Sequence, residues 1–124
     1  MEQARRRQQP WPQVLWVVRH GQSAGNVARD AAEAAGHAWI NVEHRDIDVP
    51  LSELGVEQSR ALGRWFGSLA PHERPQVVLS SPYVRARETA RLLMQEAGLA
   101  TDRHVRLRLD GRLREKEFGM LSAM

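Results

Sequence analysis

The sequence predicts an α/β fold in which a mainly parallel sheet is covered by helices on both faces, a three-layer α/β/α sandwich. Two observations carry the prediction. The short apolar runs "VLWVV" (14–18) and "QVVLSSP" (76–82) are rich in valine and stop abruptly at polar residues. That is the pattern of strands buried on both faces. The segments around them carry apolar residues at helical spacing, so strand and helix alternate along the chain. The 124 residues suit one domain, and a chain of that size buries roughly two thirds of its surface.

Taken in order, residues 1–12 read as a frayed tail and 14–18 as the first strand. Small residues follow, then a helix over Asn26 to Ala35. Residues 36–51, with Gly36 and Pro50, read as a loop. Ser52 is a fitting N-cap for the next helix. Leu62, Trp65, Phe66 and Leu69 give that helix an apolar face, and it should end near Pro71. Trp65 and Phe66 are core candidates, whereas Trp11 and Trp39 suit core or rim equally. The second strand, 76–82, runs into a helix from about Tyr83 to Ala97, with Ala86, Ala90, Leu93 and Ala97 on one side. Gly98 is placed to terminate it. Val105, Leu107 and Leu109 alternate with arginines, as in a half-exposed strand.

Composition narrows the function classes. The apolar fraction of 42% and charged fraction of 27% are ordinary for a soluble globular chain. There is no cysteine, so disulfides and thiolate metal sites do not arise. The net charge is +3, and Lys116 is the only lysine among 18 basic residues. Arginine grips phosphate bidentately, which makes the bias suggestive, although a GC-rich genome would produce it too. Acidic residues are interspersed throughout, so no basic stripe points to a nucleic-acid partner. The basic start lacks an apolar core after it, and "VLWVV" is too short for a signal peptide or a membrane span. A cytoplasmic protein without a membrane partner is expected.

The end of the first strand holds the chemistry. Arg19 and His20 are costly to bury without partners, and Gly21 would let backbone approach a ligand closely. In open α/β sheets, ligands bind beyond the carboxyl ends of strands. If the first two strands are parallel, Arg19, His20 and Arg85 meet at one rim beside a helix N-terminus, an arrangement suited to an anion.

"RHGQSAGN", "DVPLSELGVEQSRALG", "SSPYVRARETA" and "LREKEFG" occur in that order over nearly the whole chain. Together they resemble the signatures of the histidine phosphatase superfamily, the phosphoglycerate mutase-like proteins. The resemblance implies that His20 is the nucleophile that becomes phosphohistidine. It implies that Arg19 and Arg85 clamp the phosphoryl oxygens and that Glu115, rather than Glu117, protonates the leaving oxygen. Ser23 and Asn26 would line the phosphate or substrate side of the pocket, though a turn or cap role suits them too. Arg45 is a further candidate at the substrate mouth, whereas Arg87 and Arg91 read as solvated helix residues. The chemistry asks for these types. Neutral imidazole is nucleophilic near neutral pH, and fixed guanidinium donors stabilise charge spread over the equatorial oxygens. The carboxyl needs a pKa raised towards working pH.

The implied activity is hydrolysis of a small phosphomonoester without metal or other cofactor. Mutase-type transfer is one alternative. A phospho-ligand-binding or interaction module without catalysis is another. The family carries a second essential histidine, followed by glycine, on a later strand. Here His37, His44, His72 and His104 are each followed by another residue. Residues 13–124 therefore read as a partial domain, incomplete at the C-terminus and lacking that strand. The spacing of His37 and His44, with no carboxylate pattern around them, gives no metal site.

Overall fold

The structure, a computed structural model, describes residues 11–36, 39–41, 45–114 and 121–123, with 39–41 and 121–123 described as backbone. The element order is helix α1 (Ala24–Ala34), strand β1 (Trp39–Asn41), a 3-10 turn (Asp46–Asp48), helix α2 (Glu53–Gly67), a second 3-10 turn (Pro71–Glu73), strand β2 (Val77–Ser80), helix α3 (Val84–Glu96), strand β3 (Arg106–Leu109), a third 3-10 turn (Gly111–Leu113) and strand β4 (Leu121–Ala123). The predicted tail at 1–12 lies almost wholly outside the described residues.

The helix ends follow local chemistry. The Ser52 hydroxyl accepts from the Gly55 N–H at 3.1 Å, the N-cap that the sequence indicated. Helix α2 stops at Gly67, short of Pro71, and Arg74 satisfies carbonyls at and just past its end: Nη2 donates to Gly67 O and Nε to Leu69 O, each at 3.0 Å. Helix α3 closes in a Schellman turn. Gly98 takes φ +74°, and the Leu99 N–H reaches back to Met94 O at 2.8 Å. Leu99 then drops into the core, almost wholly buried.

That core is built between α2, α3 and the strands. Phe66, Leu93, Met94, Ala97 and Leu99 form it, with Trp16, Leu62, Leu69, Val78 and Val105 packed around them. Trp16 meets Phe66 edge to face at 5.4 Å. Trp65 also packs edge to face on Phe66, at 5.0 Å, yet stays about half exposed, so it caps the core where the sequence reading had placed it inside. Trp11 is exposed.

Strands β2 and β3 pair in parallel, with Val77 opposite Arg106 and Ser80 opposite Leu109. Val78 faces the helices, and Val77 and Leu79 on the other face are exposed. The alternation predicted for β3 gives no buried face here, since all four of its residues are exposed. Strands β1 and β4 form an antiparallel pair that three-residue runs were too short to announce in the sequence.

One predicted strand differs. Residues 14–18 join no ladder among the described residues, and Val17 is 89% exposed. A strand buried on both faces needs a neighbour to pair with and layers above and below it. Within the described residues this segment has Trp16 as its anchor in the core.

Candidate active site

The chain leaves the 14–18 segment through Arg19-His20-Gly21 and enters α1 at Ser23. This corner is fixed by backbone. The Gly21 N–H donates to Thr89 Oγ1 at 3.1 Å, and the Thr89 hydroxyl donates to Arg85 O at 2.7 Å. Gln22 is held on several sides. Its N–H donates to Gln58 Oε1 at 2.9 Å, its carbonyl accepts from Ser52 N at 2.9 Å, and its Oε1 accepts from Ser52 Oγ at 2.7 Å.

Gly21 serves a different purpose from the one read in the sequence. A Cβ there would lie 2.5 Å from the Gly55 carbonyl oxygen, and a Cβ at Gly55 would overlap the carbonyl oxygen of Gln22. The two glycines let the Arg-His-Gly corner lie directly on the first turn of α2. The close approach is therefore to a helix, and it sets where His20 stands.

His20 is half-buried, and its Nδ1 lies 2.6 Å from Gly21 O. A carbonyl can only accept, so Nδ1 carries the proton, and in the neutral ring the lone pair is on Nε2. Arg19, His20, Gly21, Gln58, Ser59, Leu62 and Thr89 line a cavity of about 140 Å³. That is the space of several waters at about 30 Å³ each. Arg19 is exposed at its edge.

The other predicted site residues are placed elsewhere. Ser23 and Asn26 form a reciprocal capping box: Asn26 N donates to Ser23 Oγ and Ser23 N to Asn26 Oδ1, both at 3.0 Å. Neither lines the cavity. The cap is Ser23, so α1 begins two residues before the predicted Asn26. Arg85 does not line the cavity either, contrary to the expectation that it would meet Arg19 around one space. Its side chain is 5% exposed, with Nη1 donating to Asp46 O at 2.6 Å and lying 3.3 Å from Asp46 Oδ1. The guanidinium carbon sits 4.9 Å from the centre of the Tyr83 ring. The physical reason is charge: a guanidinium buried to this degree needs an anionic partner, and the turn at 46–48 supplies one. Arg45, next to that turn, is exposed, as is Arg87, whose Nε donates to Pro82 O at 2.9 Å. Glu115, Glu117, His37 and His44 lie outside the described residues.

Sequence reasoning missed Gln58, Ser59 and Thr89. Thr89 had a signal, since it stands one helical turn after Arg85 and so on the same face. Gln58 had none, because its role depends on Gln22, 36 positions away, lying beside it in space, whereas Ser59 bonds within its own helix, to Gly55 O four residues back. Among the described residues no group of three histidine, aspartate or glutamate side chains is placed to hold a metal ion. None of the described helices is long and apolar enough to cross a membrane.

A sequence profile of the histidine phosphatase superfamily (branch 1) matches residues 15–124. The chain belongs to that superfamily. Its relatives within it include the fructose-2,6-bisphosphatase TIGAR of Xenopus laevis, 32% identical over 106 residues, a match covering 86% of this chain and 32% of the relative. The adenosylcobalamin/alpha-ribazole phosphatase of Salmonella typhi is 37% identical over 91 residues, covering 73% and 36%. Among solved structures, a mycobacterial glucosyl-3-phosphoglycerate phosphatase complexed with VO3 superposes with a TM-score of 0.51 at 31% identity, over 77% of this chain and 37% of that one. The chain thus spans about a third of the length of these relatives. The α/β architecture of this superfamily agrees with the parallel β2–β3 pair and its packed helices.

Proposed function

We propose that this chain carries the phosphoryl-accepting half of a histidine phosphatase site and acts on a small phosphomonoester. The observation that supports it most is the hydrogen bond from His20 Nδ1 to Gly21 O, which leaves Nε2 as the nucleophile. Nε2 attacks phosphorus, the bond from phosphorus to the ester oxygen breaks, and the alcohol departs with a proton. Water then attacks the phosphohistidine, releasing phosphate and restoring the imidazole. Arg19, at the cavity edge, holds the equatorial oxygens, and Arg85, which sits on Asp46 in this structure, joins it on release from that partner; their planar forks suit the task better than lysine. Glu115 supplies and recovers the proton. Ser23 and Asn26 contribute by fixing the start of α1 immediately after the nucleophile's corner. Relatives named as phosphatases support hydrolysis as the outcome.

The test is labelling with a phosphomonoester carrying radioactive phosphorus. The full chain should acquire an acid-labile, alkali-stable label, and His20→Ala should acquire none. Label retained in His20→Ala overturns the assignment.

A further inference from the structure

Asp46 supplies a counter-charge to Arg85. A guanidinium that is 5% exposed cannot stand without a counter-charge, and the proposed substrate group is absent between turnovers. Asp46 holds it in two unequal ways. Its main-chain carbonyl accepts from Nη1 at 2.6 Å, a short bond, while its carboxylate oxygen stands at 3.3 Å from the same nitrogen. The carboxylate is the loosely held partner. It is also the partner with water to move into, at 22% exposure. The turn that carries it closes through Asp48 N to Arg45 O at 2.8 Å and Val49 N to Asp46 O at 3.3 Å, and buried Val49 pins it. The Glu88 carboxylate, one turn along α3, accepts from the Leu51 N–H.

We infer that the Asp46 carboxylate is a replaceable counter-ion, which neutralises Arg85 while the site is empty and yields its place to a phosphoryl dianion. The inference rests on the reading of Arg85 as a phosphoryl clamp. Asp46 is then a positioning residue that sets anion affinity: phosphate binding must displace one anion from the guanidinium, and so is weaker than the clamp alone would give. A purely structural Asp46 predicts the opposite sign, since losing it would disorder Arg85 and weaken binding.

The probe is inorganic phosphate, titrated by calorimetry onto the full chain. Asp46→Asn keeps the main-chain carbonyl and removes the charge. It should tighten phosphate binding at least about five-fold, the lower end of ordinary coupling between two sites. Asp46→Glu should bind as the unsubstituted chain does. Asp46→Asn should also gain more thermal stability from saturating phosphate than the unsubstituted chain gains. Unchanged or weaker binding by Asp46→Asn overturns the inference. Arg85→Gln separates this from the underlying reading. If it leaves phosphate affinity intact, the clamp assignment fails. If it weakens binding while Asp46→Asn brings no gain, the counter-ion assignment alone fails. A readout without substitution guards against a misfolded variant: the carboxyl carbon-13 resonance of Asp46 should move on saturation with phosphate, and that of Asp102 should not. An unmoved Asp46 resonance overturns the inference.

Discussion

Gly21 and Gly55 meet back to back, and the two positions explain each other. The sequence suggested that Gly21 exists for a ligand, whereas its missing Cβ makes room for the first turn of α2. The reciprocal demand at Gly55 is stricter, because the oxygen in the way belongs to Gln22, whose carbonyl is already held by the Ser52 N–H. It cannot move aside without breaking that bond. Gly55→Ala should therefore destabilise the fold by about 1–3 kcal/mol, the usual range for overpacking, although alanine favours helices. Urea unfolding measures this, and an unchanged or raised midpoint would show that the corner yields easily. The Arg19-His20-Gly21 run itself was legible, and the acceptor for His20 Nδ1 is as local as a contact can be, the carbonyl of the next residue. The partner of Arg85 was not legible, because Asp46 lies 39 positions away and no local pattern links an acid in a loop to an arginine on a helix.

At the scale of elements, the features read correctly are those that a few neighbouring residues decide. Ser52 caps α2 with its own hydroxyl, and Gly98 ends α3 with its own backbone angle. The 14–18 run failed as a strand because pairing is a non-local property, and valines state only a preference for it. Helix α3 joins the site through Thr89, whose oxygen accepts from Gly21 N and donates to Arg85 O in a buried setting. Thr89→Val keeps the shape and removes both bonds, leaving the part-buried Gly21 N–H without its partner, at a cost towards the lower end of about 1–3 kcal/mol. Thr89→Ser keeps the hydroxyl and should lose only about 0.8 kcal/mol for the methyl. Equal destabilisation of the two in urea unfolding would mean that packing, and not the hydroxyl, matters here.

Across the whole molecule, the helices α2 and α3 and the core between them are well determined by sequence, and the sheet is less so. Helical periodicity is written within one segment, but sheet order depends on which segments find each other. The exposed Val77 and Leu79 show one face of β2 that the described residues leave uncovered. The acid limit of folding has a specific contributor at the end of β3. Hydrogen bonds from the Arg112 side chain, and next from its backbone N–H, lower the Asp110 carboxyl from 3.8 to about 2. A carboxyl lowered on folding stabilises the folded chain above its unfolded pKa and loses that contribution as pH falls through the folded value. The loss should run from about pH 4 to about pH 2. Asp110→Asn should flatten the pH dependence of stability in that window. Titration of the Asp110 carboxyl by NMR with a midpoint near 4 would contradict it.

The Thr89 hydroxyl has a consequence for how such a pocket keeps its dimensions. One oxygen atom, shared by the segment that bears His20 and the helix that bears Arg85, acts as a gauge block between them. Both contacts are to main chain, so the spacing survives turnover of almost every side chain nearby. Neither segment can drift without dragging the other, and the gap between the His20 corner and α3 is calibrated by the reach of a single threonine.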